Sequence, residues 1–600
     1  MQDLQILTKK KWLNWLIIIG GSFLITFLCY LFFSHDIGTI NINLYQPELK
    51  GSDYTELVNS ARAAINGTSN ILAIAISAFL LLMLLALAIV LLLQKKMNFK
   101  YGIIIIFAVA IIIRVLYSNV TDNIFTRQHD VWSSSFYGHY GIVMNLFKTG
   151  HLPPLRNGSL ADSYQIYHPK MAHYLFYFAM KFNSLFLGNE NQSIELYESI
   201  RIFTCFISIL MIFMAYEIFK ELFKSKTAIL IATTFVIFSP IFIRLSAMSN
   251  NDGVLYFFLF AAVLFAIRFY KRGKWYDLLV LAIAIGMAMG AKLSGALIAI
   301  PVGIMMVYKL VIDVKNAETG KKLNVFLTYV VQYLAFLIIC APIGLYWPIY
   351  NLKNYNQPIS YYFNNLNSAL KITDDFSYAD RYLSFSFKNL FASMYEQLWN
   401  TGEILLDGNL WVAAFKTSLF GEYSYTAANT VLFSALFYAT GLIMIAAALV
   451  FFVYLIIKGF KDKKYETITL LGLFVFGVLA FIFIASPINY HMVIGIFIAV
   501  IAFFLIVYMF INFKKFQDKL ATIFMLMITG VFILFFIKFN ISSPYTCTQD
   551  FRYIAIILIP GGYAIGNIIE KKGESKTLVT TIAMLIAIYS TMSLLLYSSL

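Results

Sequence analysis

"GIIIIFAVAIIIRVLYSNVTDNIFTRQHDVWSSSFYGHYG", residues 102 to 141, decides the fold class. An apolar run long enough to cross hydrocarbon is followed within a few residues by Arg127, His129, Asp130, Trp132 and His139, which crowds acid, base and aromatic groups at a membrane edge. The chain as a whole repeats the apolar half of this pattern. Of its 600 residues 60% are hydrophobic and 12% charged, with a mean hydropathy of +0.77. A water-soluble chain has an apolar fraction of about 45–50%, so this one takes the bilayer as its solvent. A net charge of +15 in a soluble protein would suggest nucleic acid, but that reading needs a basic patch on a folded domain. Here the lysines sit in short loops between apolar runs and set topology instead.

Apolar segments fall near 13 to 33, 71 to 93, 101 to 117, 199 to 218, 227 to 247, 253 to 270, 276 to 291, 294 to 310, 325 to 347, 427 to 457, 466 to 486, 493 to 512, 520 to 538, 553 to 570 and 577 to 598. The expected fold is therefore an all-α polytopic membrane protein of about 13–15 transmembrane helices. The segments 276 to 291 and 294 to 310 are short and read either as a re-entrant pair or as one kinked helix. The first runs on too long for a signal peptide and reads as a retained anchor. With the N-terminus inside, each connecting loop assigned to the cytoplasm carries at least three Lys or Arg, as in "LQKKMNFK", "FKELFKSK", "YKRGKW" and "EKKGESK". The opposite side receives two long loops, 118 to 198 and 348 to 426, and the short turns 248 to 252 and 539 to 552. Cys29, Cys205, Cys340 and Cys547 show neither metal-ligand spacing nor an obvious pairing.

Nearly all the unusual polar residues lie in those outer loops. A transporter places ionisable groups near the bilayer midplane in broken helices and often shows paired repeats, so the sequence favours an enzyme working at the outer face. The loop aspartate after a membrane helix, then "YHPKMAHYLFYFAMKF" (167 to 182), then the stretch from "RLSAMSNNDG" (244 to 253) to "GAKLSGAL" (290 to 297), resembles the GT-C integral membrane glycosyltransferases of the protein mannosyltransferase and aminoarabinose transferase type. A fainter echo lies at "PYTCTQDFRYI", residues 544 to 554. The resemblance implies transfer of a sugar from a polyprenyl phosphate carrier on the non-cytoplasmic face. It divides the chain into an additional N-terminal hairpin (1–100), a catalytic transmembrane core (101–347), an outer loop able to act as a lid (348–426) and C-terminal helices (427–600).

An acceptor hydroxyl attacking an anomeric carbon must lose its proton, and a carboxylate within hydrogen-bond reach can take it. By position Asp130 resembles the family's loop aspartate. Its neighbour departs from the pattern: where related enzymes often have a second acid, this chain has His129, which either orients the acceptor or shares the proton. As a plain structural residue, Asp130 would be a helix cap. The departing phosphate needs fixed positive charge in a water-poor site. Lys292, Arg552 and Arg244 stand at outer helix ends, where the alternative is snorkelling to the interface. Asp252, in the tight turn "SNND", is expected to contact substrate or metal if it does more than form the turn. His168, Tyr545 and Glu422 complete the candidate substrate contacts, and Pro169 is placed to begin a helix lying at the headgroups. No His/Asp/Glu cluster has ligand spacing on one helix; a divalent cation is expected only as a bridge between Asp130 and Asp252.

The expected partners are a lipid-linked sugar donor, membrane lipids and an acceptor that is a glycan, a lipid or a protein, with no nucleic acid. The expected location is the plasma membrane. Two other classes fit the topology: a transporter or flippase of lipid-linked sugars, and an envelope polymer ligase. The ligase usually relies on paired arginines and a histidine in a late outer loop, whereas "ISSPYTCTQDFRYI" has one arginine and no histidine.

Overall fold

In the computed structural model the described residues are chiefly 11–33, 68–120, 138–153, 167–187, 199–357, 371–372, 377–382, 408–421, 520–572 and 576–598. Among them the helices are α1 (Lys11–Phe33), α2 (Thr68–Leu93), α3 (Phe99–Val120), α4 (His139–Thr149), α5 (Met171–Leu187), α6 (Ile200–Leu222), α7 (Lys226–Ile237), α8 (Pro240–Arg244), α9 (Asn251–Arg272), α10 (Trp275–Ala291), α11 (Ala299–Asn316), α12 (Lys322–Tyr355), α13 (Tyr378–Tyr382), α14 (Leu410–Phe420), α15 (Leu520–Ser542), α16 (Leu558–Lys572) and α17 (Lys576–Ser598). The only β pairing among the described residues is an isolated bridge between Lys371 and Tyr545.

Seven of these helices are long and apolar enough to cross a membrane, an eighth span forms if the bent pair α7 and α8 counts as one, and four more are shorter apolar helices. These coincide with twelve of the fifteen segments read from the sequence. The remaining three, 427 to 457, 466 to 486 and 493 to 512, lie outside the described residues apart from a few isolated positions. Two boundaries shift. Residues 551 to 557 form short 3-10 turns before α16 begins at Leu558. Between α10 and α11 the chain breaks at Lys292 into a 3-10 segment, Leu293–Ile298. Gly295 in that segment lies against the end of α10 so closely that a Cβ would stand 2.5 Å from the Ala288 carbonyl oxygen. Segments 276 to 291 and 294 to 310 are thus two helices joined by a tight reversal.

The α7–α8 span bends by 60° at Pro240, which lacks the N–H that a continuous helix needs. Arg114 of α3 fills the gap: its Nη2 donates to the Ile237 carbonyl at 2.7 Å and its Nε to Ser208 Oγ at 3.0 Å. A buried guanidinium and the carbonyls of a broken helix thereby satisfy one another, which is how polar groups survive at membrane depth.

Sequence polarity sorts to the two ends of the bundle. At the end carrying the lysine-rich loops, Glu217 and Glu221 of α6 pair with Arg268 and Arg272 of α9, with Arg268 Nη2 2.6 Å from Glu217 Oε2. Glu570 of α16 accepts from the Lys224 backbone N–H at 2.8 Å. The start of α9, the Lys292 break and the 546–553 turns lie at the other end. Helix α1 is packed onto the core: Phe23 meets Phe206 of α6 and Phe182 of α5 edge-on, at 5.8 and 5.7 Å.

Candidate active site

Asp252 sits in the first turn of α9 because Asn250 caps that helix, its Oδ1 accepting from the Asp252 backbone N–H at 3.1 Å. The cap turns the carboxylate into a nearly water-free region, where Asp252 is 1% exposed. Lys292 reaches it from the α10–α11 break, with Nζ donating to Asp252 Oδ1 at 2.6 Å. Arg552 approaches from the third direction, Nε 3.8 Å from Asp252 Oδ2 and equally far from Asp550 Oδ2. Lys292 also lies over the Tyr553 ring at 4.5 Å, and Asn250 Nδ2 donates to Asp252 Oδ2 at 3.4 Å. The same Asp252 therefore touches two cations that are 260 residues apart in sequence.

The backbone of Arg552 is held on both sides. Its N–H donates to Asp550 Oδ1 at 2.8 Å, and its carbonyl accepts from the Tyr256 hydroxyl, which itself accepts from the Ala555 N–H at 3.0 Å. Asp550 caps this turn much as Asn250 caps α9.

The segment between α3 and α6 contributes a basic, imidazole-rich wall. Lys170, 2% exposed, places its Nζ 5.3 Å from the Trp347 ring centroid. His139 at the start of α4 and His173 on α5 stack with their rings 5.0 Å apart, and His139 Nδ1 lies 2.9 Å from His173 Nε2. The His168 ring lies tilted against that of Tyr167, with centroids 4.1 Å apart. Loss of water, then the positive fields of Lys292, His139, Lys170 and Arg552, hold His168 well below the ordinary imidazole range. Burial, then Lys170, His139 and His168, do the same to His173. Burial alone pulls the Lys170 ammonium downward. Both environments disfavour the imidazolium form of His168 and His173.

Among the sequence candidates, then, Asp252, Lys292 and Arg552 come together, with His168 within the field of Lys292 and Arg552. Arg244 is engaged elsewhere, its Nη2 donating to the Thr417 carbonyl at 2.6 Å. Tyr545, 8% exposed, forms an isolated β-bridge with Lys371, in the segment between α12 and α14. Asp130, His129 and Glu422 lie outside the described residues. Among the described residues no group of three or more His, Cys, Asp or Glu is arranged to hold a metal. Sequence reasoning did not single out Asp550 or Lys170 as members of the site. A capping Asp two residues before an Arg was the available signal for the first; the second could be recognised only once α12 brought Trp347 to it.

Residues 160–364 match the family model described as dolichyl-phosphate-mannose-protein mannosyltransferase, a GT-C family. The match spans roughly a third of the chain and contains His168, Lys170, Asp252 and Lys292, while Arg552 lies beyond it. It supports a membrane glycosyltransferase that draws on a lipid-linked sugar. No curated protein matches the chain.

Proposed function

We propose that this membrane glycosyltransferase takes its sugar from a polyprenyl monophosphate carrier at the outer face of the plasma membrane and passes it to an acceptor hydroxyl with inversion. The observation that carries the reading is the convergence of Lys292 and Arg552 on one buried carboxylate, Asp252. Two fixed cations in a water-poor pocket suit a leaving group that departs with two negative charges, since stabilisation of charge developing in the transition state is commonly the largest catalytic effect. Asp252 balances the two cations and keeps them in place. An arriving phosphate would compete for Lys292 and Arg552 and would favour the protonated form of Lys170.

The chemistry is a single displacement. The acceptor oxygen forms a bond to the anomeric carbon, the bond from that carbon to the phosphate oxygen breaks, and the electron pair leaves on the phosphate. Asp130 takes the acceptor proton in this scheme, with His129 orienting the acceptor or sharing the proton. Asp252 and His168 contact the donor, and Glu422 and Tyr545 belong to the acceptor side through the second outer loop. A divalent cation bridging Asp130 and Asp252 is compatible with the scheme but is not required by it. The acceptor is a glycan, a lipid or a protein, the last being what the matched family's description names.

The test is direct. Purified protein is incubated with polyprenyl phosphomannose and membrane extract, and products are followed by mass spectrometry. Release of polyprenyl monophosphate together with a new glycosylated product supports the reading. Intact donor that has only crossed a vesicle bilayer would favour a flippase, and a diphosphate-only requirement would favour a polymer ligase.

A further inference from the structure

The second outer loop reaches the site through α14. Asn409 caps this helix, its Oδ1 accepting from the Trp411 and Val412 backbone N–H groups at 3.1 and 3.0 Å. The side chain of the same Asn409 donates to the Asp380 carbonyl at 2.7 Å, and Trp411 Nε1 donates to the Tyr382 carbonyl at 2.7 Å, so α14 is tied to α13 at one end. At its other end Thr417, fully buried, makes two contacts that leave the loop altogether. Its Oγ1 accepts from the Phe551 N–H at 2.8 Å, and its carbonyl accepts from Arg244 Nη2 at 2.6 Å. Gly421, with φ +73°, leaves room for that guanidinium; a Cβ there would fall 1.8 Å from Arg244 Nη1.

Phe551 immediately precedes Arg552. The backbone of Phe551 and Arg552, the turn that aims Arg552, is therefore pinned by side chains at three groups: the Phe551 N–H by Thr417, the Arg552 N–H by Asp550 and the Arg552 carbonyl by Tyr256. The second pin is local and the third comes from a membrane helix. Only the first comes from the long outer loop.

We propose that Thr417 is a positioning residue for the donor phosphate: its hydroxyl, on a backbone whose carbonyl Arg244 braces, sets the turn from which Arg552 reaches the phosphate. The inference rests on the reading of Arg552 as a phosphate ligand and adds a role for Arg244, which acts through Thr417 from the base of the second outer loop.

The experiment measures binding of sugar-free polyprenyl monophosphate to the full-length protein in detergent micelles. Thr417→Val keeps the shape and removes the oxygen that receives the Phe551 N–H; it should weaken binding about ten-fold, the loss expected for one buried hydrogen bond. Thr417→Ser should restore wild-type binding. In an Arg552→Met background Thr417→Val should add nothing, because the pin acts only through Arg552. Should Thr417→Val not fold, Arg244→Gln releases the brace while leaving the hydroxyl, and the same weakening with the same dependence on Arg552 is expected. Wild-type binding in Thr417→Val or Arg244→Gln, with Arg552→Met impaired, overturns the positioning role and leaves the phosphate reading standing. An equal further loss in the Arg552→Met background also overturns it, since a merely structural role would behave that way. Wild-type binding in Arg552→Met overturns the phosphate reading itself.

Discussion

Asp252 makes its contacts with so little water that each partner is costly to remove. Deleting one member of a buried ion pair leaves an uncompensated charge and costs about 3–5 kcal/mol, so Lys292 and Asp252 support the fold as well as the site. The proposed base, Asp130, is tested by a nearly isosteric change. Asp130→Asn keeps size and nearly shape but cannot accept a proton at neutral pH. A base role predicts a folded protein that binds donor and turns over at about one part in a hundred or less, measured as initial rate at saturating donor. A capping role predicts near-neutral behaviour, because Asn caps helices as well as Asp. At this scale the sequence was legible where a charged residue stood at a helix end: Asp252, Lys292 and Arg552 were each visible singly. Their partnership was not, because 40 and 300 residues separate Asp252 from the two cations and only the packing of α9, α10 and the 546–553 turns closes those distances.

Apolar segment length located the helices because a spanning helix has no alternative way to satisfy its backbone in lipid. α12 shows the limit of that rule: its 34 residues extend about 51 Å, well beyond the roughly 30 Å hydrocarbon core, and apolarity alone located only its central part. What apolarity could not reveal were the devices at breaks, namely Arg114 serving the Ile237 carbonyl and Gly421 making room for Arg244. Gly421→Ala tests the second device. The new methyl meets the guanidinium, and the positive φ is unfavourable for any L side chain. A loss of at least about 1 kcal/mol is expected, read as a lowered melting temperature of the detergent-solubilised protein, and Arg244→Ala in the same background should recover part of it by relieving the contact.

For the whole molecule, charge sorting by end of the bundle and the disfavoured imidazolium forms of His168 and His173 have a joint consequence. His168 and His173 are held below the ordinary value, so the folded protein resists protonation that the unfolded chain accepts near pH 6.5. Their contribution is present above that pH and is lost as pH falls below it, because the unfolded state then binds more protons. Melting temperature should therefore drop between pH 7 and pH 5, before most carboxylates titrate. The drop should shrink in His173→Gln; an unchanged slope in that variant would show that other groups govern it. The two-ended distribution of charge was legible in the lysine-rich loops, whereas the imidazole pair was not, since His139 and His173 meet only through the packing of α4 on α5.

The central claim is that Lys292 and Arg552 stabilise a departing lipid phosphate, and the most direct measurement is sugar transfer from polyprenyl phosphomannose by Lys292→Met and Arg552→Met variants reconstituted in liposomes. The account predicts that each variant, checked for folding by its melting temperature, loses about 10²–10³-fold in kcat, as when one preorganised donor to a developing oxyanion is removed. Folded variants that both transfer sugar at the wild-type rate would contradict it.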